Sequence, residues 1–179
     1  MGNVQIATFG GGCFWCTEAM FKELRGVRSV MPGYAGGTMD DPGYEQVSSG
    51  RTGHAEAIRI EFDPSAISYQ QLVEVFFLTH DPTQLNRQGH DVGEQYRSVI
   101  FFHDDEQRRI AEAVKGRLER EKVFDKSIVT AIVPAEKFFP AEDYHRDYYA
   151  KNPDQPYCQV VITPKLASFR KKFVALRKQ

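Results

Sequence analysis

Cys13 and Cys16 stand three residues apart in the run GGGCFWC, residues 10–16, where an alternating apolar segment hands over to a helical one. A cysteine in the first turn of a helix faces unpaired backbone N–H groups and the positive end of the helix dipole. Both favour thiolate over thiol, so the position is expected to lower the Cys13 pKa and make its sulfur a nucleophile. The three glycines let the chain turn sharply and leave the sulfur uncovered. Phe14 and Trp15 follow directly, and two adjacent aromatics do not fit on one helix face. At least one is therefore expected to flank the thiol, as an apolar wall suited to a small group such as a methyl. A C-x-x-C pair also serves thioredoxin-like proteins and zinc sites, so the pair alone leaves several chemistries open.

The elements that must position this run are read from periodicity. Residues 4–9 alternate apolar and polar and predict a strand. Residues 13–24 predict a helix with Phe14, Trp15, Phe21 and Leu24 along its apolar stripe and Gly26 as its stop. A second strand is expected over 27–30, broken by Pro32-Gly33. Residues 36–53 form a long loop dense in Gly, Asp and Ser, of a length that is either functional or disordered in a compact domain. Ile58, Ile60 and Phe62 alternate with Arg59 and Glu61, the pattern of a half-buried strand. Ser68 with Gln71 makes a capping box ahead of Leu72, Val75 and Phe76 at helical spacing. A polar loop over 81–95 leads into a strand at 97–102. The order β-α-β-β-α-β predicts an α+β fold with a ferredoxin-like core and long functional loops.

Beyond that core, Asp104 or Asp105 caps a charged helix to about residue 123. A strand at 128–133, a short helix at 143–150 and a short β-branched run at 159–162 follow. An amphipathic helix from Leu166 to Leu176 completes a C-terminal extension. With no repeat, low-complexity tract or linker, a single catalytic domain over 1–179 is expected.

The 179 residues are 41% hydrophobic and 26% charged with a formal charge of −1, which gives no electrostatic reason to expect nucleic acid or an anionic membrane as partner. No stretch approaches the ~20 apolar residues that cross a bilayer. The first nine residues lack a basic region, a long apolar run and a cleavage site, so no signal peptide is read and a cytoplasmic monomer is expected. Three cysteines are too few, and of the wrong parity, for a disulfide framework. His54, His80, His90, His103 and His145 lack the paired short spacing of zinc ligands. No metal and no resident cofactor are expected.

The motifs carry a resemblance. Residues 12–18, GCFWCTE, look like the active-site motif of the methionine sulfoxide reductase A family. The likeness continues in order through Gly33-Tyr34-Ala35-Gly36-Gly37, Tyr44-Glu45-Gln46-Val47 and GRTGHAEA at 50–57. It goes on at His80-Asp81-Pro82-Thr83-Gln84, at RQGHDVGEQYRS over 87–98, and at Pro140-Ala141-Glu142-Asp143-Tyr144-His145. It spans residues 10–164, most of the chain. The resemblance implies a βαββαβ core and reduction of methionine S-sulfoxide, free or in oxidised proteins, by thiol chemistry. It makes Cys13 the nucleophile, Glu56 the acid that protonates the sulfoxide oxygen, and Tyr44 and Tyr96 the phenols that hydrogen-bond that oxygen. Asp91 aligns with a contact to the substrate backbone, and Phe14 and Trp15 with the methyl pocket. Without the resemblance, Glu56 reads as a solvated charge on a strand, Tyr44 and Tyr96 as loop anchors, and Asp91 as a turn residue. The chemistry asks for these types. A sulfoxide is a poor electrophile until its oxygen is protonated, and a Glu buried beside aromatic groups keeps its proton near neutral pH.

Attack would leave a sulfenic acid on Cys13, which a second thiol must resolve. Cys158 resembles the tail cysteine that resolves in many family members, where glycine-rich sequence lets it travel. Here residues 159–162 read as a strand that would hold it. Cys16 stands where the family often has glycine, and residues at i and i+3 of a helix bring their Cβ atoms within ~5–6 Å. A Cys13–Cys16 disulfide is therefore expected first, with Cys158 as relay or structural thiol; direct resolution by Cys158 is the alternative. Thioredoxin, or dithiothreitol in its place, is the expected reductant. Two other classes compete: a thioredoxin-like disulfide oxidoreductase, and a zinc-stabilised binding module using Cys13, Cys16, Cys158 and a histidine. A phosphate loop fails because no Lys-Ser/Thr follows the glycines.

Overall fold

Alternating strands and capped helices assemble as the periodicity requires. The computed structural model describes residues 2–179. Along the chain, β1 (Gln5–Gly11) is followed by α1 (Phe14–Phe21), β2 (Val27–Ala35), the short α2 (Tyr44–Ser48), β3 (Ala55–Phe62) and α3 (Tyr69–Leu78). A hairpin of β4 (Arg87–Gln88) and β5 (Asp91–Val92) precedes β6 (Ser98–Phe102) and α4 (Asp105–Arg120). Then come β7 (Ala131–Pro134), β8 (Phe139–Pro140), α5 (Tyr148–Lys151) and α6 (Thr163–Lys172).

Six strands form one sheet in the order β7-β6-β1-β3-β2-β8. Its middle, β6-β1-β3-β2, is antiparallel throughout, with α1 and α3 as the two crossovers. That is the βαββαβ arrangement expected from the sequence. Helix α4 returns the chain to add β7 parallel to β6, and β8 adds two residues beside β2.

Both sheet faces are covered. On one, Phe9 of β1 stacks on Phe76 of α3 at 4.9 Å, and Ile58, Ile60 and Phe62 of β3 join the same core as Phe21 and Leu24. On the other, Ala35, Ala55, Ala57, Val99 and Phe101 form a thinner layer under Phe138. The capping box holds as read: Ser68 Oγ accepts from the Gln71 amide at 3.0 Å, and Gln71 Oε1 accepts from the Ser68 amide at 3.0 Å. Asp104 Oδ1 caps α4 by accepting from the Gln107 amide at 2.8 Å.

Several segments depart from the expectation: the 36–53 loop carries α2, and the C-terminal helix stops at Lys172 before a 3₁₀ turn at Val174–Leu176. Strand β2 runs through Pro32-Gly33 to Ala35, because Pro32 turns its carbonyl, and with it its missing N–H, away from β3 toward the Ala141 amide. The 143–150 helix is split by Asp147, whose left-handed backbone (φ 53°) separates a 3₁₀ turn at Asp143–His145 from α5. The β-branched run 159–162 is not a strand. It lies in a π-helical stretch, Cys158–Ile162, that continues into α6. Cys158, Ile162, Leu166 and Phe169, at helical spacing, are its buried positions.

The sharp turn between β1 and α1 depends on Gly12, at φ 93°. A Cβ there would meet Gln88 Cγ at 2.8 Å and Cβ at 2.9 Å. Gln88 cannot swing aside freely, since its amide accepts from the Asp81 N–H at 3.1 Å and donates to the Asp81 carbonyl at 3.0 Å. Gly12→Ala is expected to lose about 2–3 kcal/mol of stability in urea unfolding. Gly89→Ala, at φ 60° with open space around it, should lose only about 1 kcal/mol. Equal losses at the two positions would show that the close approach to Gln88 contributes nothing.

Candidate active site

The alternation of β3 puts Glu56 in phase with Ile58 and Ile60, so its side chain points to the helix-bearing face and is only 2% exposed. Helix α1 starts directly over it. Cys13 is the N-cap residue, extended at φ −61° and ψ 126°, with no capping hydrogen bond from its own side chain. Its carbonyl accepts from the Cys16 amide at 3.1 Å. The next free amide, that of Phe14, donates to Glu56 Oε1 at 3.2 Å. Glu56 thus supplies from a neighbouring strand the acceptor that the N-cap lacks. Burial pushes its carboxyl up to about 8, with Asp91 adding to the push and the Phe14 amide opposing it. At neutral pH the group is mainly a carboxylic acid.

Cys13 and Cys16 are electrostatic neighbours, and all three cysteines are free and buried. Here the helix-terminus expectation needs correction. Burial, then the neighbouring Cys16 thiol and the adjacent Glu56, hold the Cys13 thiol well above its ordinary value. The Cys16 thiol is held lower, by the neighbouring Cys13 and by Lys165 and Tyr157, against its own burial. Desolvation at Cys13 outweighs the one pull downward, that of the Trp15 amide in the first turn of α1.

The loops deliver the remaining groups. Tyr44, first residue of α2, stacks toward Phe14 at 6.4 Å and Trp15 at 6.4 Å. Burial, with Glu56 and Cys13 nearby, pushes its phenol up to about 12. Tyr96 ends the 3₁₀ turn Glu94–Tyr96 and is shifted upward by burial and then by Glu56 and Tyr44. Asp91 opens β5 and accepts from the Tyr157 hydroxyl at 2.6 Å; that same hydroxyl lies 3.9 Å from Cys16 Sγ. All eight residues Cys13, Phe14, Trp15, Cys16, Tyr44, Glu56, Asp91 and Tyr96 therefore converge on one site. Cys158 is completely buried at the start of its π-helical stretch, and its electrostatic neighbour is Cys16.

Several residues of this site were not singled out by their own sequence context. Tyr34 lies opposite Glu56 in the β2–β3 register, and its hydroxyl donates to Glu142 Oε1 at 2.9 Å. Glu142 Oε2 accepts from the Tyr44 amide at 3.1 Å, so one carboxylate ties β2 to α2. Strand parity would have found Tyr34. His145 accepts from the Trp15 indole N–H at 3.0 Å and packs on Phe14 at 5.0 Å, while Tyr148 lies face to face with Trp15 at 3.7 Å. Nothing local marked these two. By contrast His54, close in sequence to Glu56, braces the neighbouring loop: its Nδ1 accepts from the Gly37 amide at 2.9 Å and its Nε2 donates to the Met39 carbonyl at 2.6 Å. Among the described residues no three His, Cys, Asp or Glu side chains are grouped to hold a metal ion. No described helix is long and apolar enough to cross a membrane.

A paired thiol beside a buried carboxylic acid is the equipment of a thiol-dependent oxidoreductase, and comparison with known proteins gives the family. The family model for peptide methionine sulfoxide reductase matches residues 5–177, and the chain belongs to that family. It is 54% identical to the peptide methionine sulfoxide reductase MsrA of Sulfolobus acidocaldarius, over 95% of this chain and 96% of the relative. The crystal structure of Mxr1 from Saccharomyces cerevisiae in reduced form superposes with a TM-score of 0.81 at 33% identity, covering 87% of this chain and 89% of that one. Mxr1 has also been solved in complex with Trx2, a structure that matches at 24% identity and a TM-score of 0.58 over 81% of this chain and 84% of that one.

The state of Glu56 has a consequence for stability. Its folded pKa, about 8, lies above the ordinary value of 4.5, so the folded protein holds a proton that the unfolded chain releases. The stability tied to that proton is complete below the unfolded pKa and is lost as pH rises through the folded one. Between about pH 5 and about pH 9, Glu56→Gln should therefore gain at least ~2 kcal/mol on the wild type in urea midpoints. A difference independent of pH would mean that the carboxyl is ionised in the fold.

Proposed function

We propose that this chain reduces the S epimer of methionine sulfoxide, in oxidised proteins and as the free amino acid, through a sulfenic acid on Cys13. The observation that carries the reading is the buried Glu56 carboxyl, its pKa pushed up to about 8, held on the Phe14 amide next in sequence to Cys13. A sulfoxide entering between the aromatic groups would set its methyl against Phe14 and Trp15 and its oxygen toward Glu56, Tyr44 and Tyr96. Asp91 would receive the substrate backbone. As Cys13 sulfur attacks the sulfoxide sulfur, Glu56 gives its proton to the oxygen and the phenols hold the developing charge. The Cys13 proton would pass to the neighbouring Cys16 in its thiolate form. The oxygen passes to Cys13 as sulfenic acid, the substrate leaves as methionine, and a proton returns to Glu56.

Resolution follows the same neighbour. Cys16 sulfur attacks the sulfenic sulfur, a disulfide forms and water leaves. The geometry favours Cys16 because it adjoins Cys13, whereas the electrostatic neighbour of Cys158 is Cys16. Cys158 can then take over the disulfide as a relay, which requires its π-helical stretch to open. The disulfide is returned to thiols by a dithiol, for which thioredoxin is the natural choice, given that the yeast relative has been crystallised with Trx2. Such a cycle restores oxidised methionines in damaged proteins.

Cys13→Ser should release no methionine from the S epimer with dithiothreitol, and the wild type should leave the R epimer untouched. In single-turnover experiments Glu56→Gln should slow methionine release by roughly 10²–10⁴-fold, the range for a positioned general acid. A single-turnover rate equal to wild type would move the acid role to Tyr44 or Tyr96. Peptide mapping after one equivalent of sulfoxide should find Cys13 joined to Cys16. In Cys16→Ser, one equivalent of methionine should still appear, but turnover with thioredoxin should fail. A Cys13–Cys158 bond, with normal recycling by Cys16→Ser, would make the tail cysteine the resolving thiol.

A further inference from the structure

The mechanism leaves one buried acid unused. Glu18 lies in α1, five residues after Cys13, and is only 3% exposed. It accepts from the Asp147 backbone amide at 2.9 Å, and the Tyr148 amide also turns toward it. These are the amides at the start of α5, and they converge on Glu18 because Asp147 adopts a left-handed backbone at φ 53°. Lys22, one turn along α1, pairs with the Asp147 carboxylate at 2.9 Å and closes the same junction from outside.

The residues on either side of that junction form the outer wall of the aromatic box. Tyr148, directly after Asp147, is stacked on Trp15 with ring planes 7° apart. His145, two residues before it, takes the Trp15 indole hydrogen bond and packs against Phe14 and Tyr44. Glu18 and Trp15 share α1, so a single short helix carries one wall of the box and the side chain that fixes the opposite one. Resting on the functional reading above, we propose that Glu18 is a positioning residue: its carboxylate holds the 145–148 segment against Trp15 and thereby sets the width of the pocket that receives the substrate methyl.

The site explains why an acid is tolerated there. Two backbone amides at the start of α5 have no helical partner and need an acceptor, and a carboxylate is a strong one. Burial opposes the charge and pushes Glu18 up to about 7, with the Asp147 amide pulling the other way. The charged groups facing it are Lys22 on its own helix and Asp147 opposite, with Lys151 and Arg146 around Asp147. His145, the other titratable group on the wall, is held below its ordinary value by burial.

Trp15 is the single tryptophan of the chain, so its emission reports the wall directly. In the wild type, Trp15 emission should shift with a midpoint near pH 7 as Glu18 loses its proton. Glu18→Gln keeps an acceptor but not the titration, and should abolish that step while leaving the KM for the sulfoxide near wild type. Glu18→Ala should raise KM roughly tenfold with kcat within about twofold, the signature of lost ground-state positioning, and red-shift Trp15 emission. If Glu18→Ala does not fold, the emission titrations of wild type and Glu18→Gln decide alone. An unchanged pH step in Glu18→Gln, or wild-type emission and KM in a folded Glu18→Ala, overturns the proposal. Emission reads the wall whether or not sulfoxide is turned over, so a wild type without turnover would count against the functional reading alone.

Discussion

The hydrogen bond from the Phe14 amide to Glu56 joins the start of α1 to the middle of the sheet, and the site is built round it. A helix start needs an acceptor for its first amides, and Cys13, the N-cap residue, offers none from its own side chain. Taking the acceptor from β3 brings a carboxyl group into a place where burial keeps it protonated. The Cys13 side chain makes no capping hydrogen bond of its own and lies beside Glu56 and Cys16. Gly12 makes the turn that permits this, and Gln88 packs where any larger residue would project. The structural need of a helix terminus thus places a buried carboxyl group beside the thiols.

The thiols show the complementary constraint. A helix N-terminus lowers a thiol pKa only while it outweighs desolvation, and in this pocket burial wins at Cys13. The neighbouring Cys16 thiol is shifted the other way, below its ordinary value. The third thiol is separated from this pair by burial: Cys158 has no exposed surface, so any role in recycling needs the helical tail to move.

Much of the core was legible in the sequence. Strict alternation at Ile58, Ile60 and Phe62 defined β3, and the Ser68–Gln71 box defined the start of α3, so the βαββαβ order followed. Carrying the same alternation back two residues would also have turned Glu56 inward, and the strand register then places Tyr34 beside it. The failures came where local preference met tertiary demand. A β-branched run at 159–162 looked like a strand, but the spacing of Cys158, Ile162 and Leu166 carried the stronger, helical signal. Pro32 looked like a strand end because the side it faces could not be known. His145 and Tyr148 lie about 130 residues from the Trp15 they enclose, and no local pattern encodes such a contact.

The central claim, that Glu56 is a carboxylic acid in the resting protein, is tested most directly by ¹³C NMR of its side-chain carboxyl carbon. The resonance is assigned by its absence in Glu56→Gln. It should titrate with a midpoint near 8. A midpoint between about 4 and 5, the range of an ordinary glutamate, would mean that the site holds a carboxylate and that the proton for the sulfoxide oxygen comes from elsewhere.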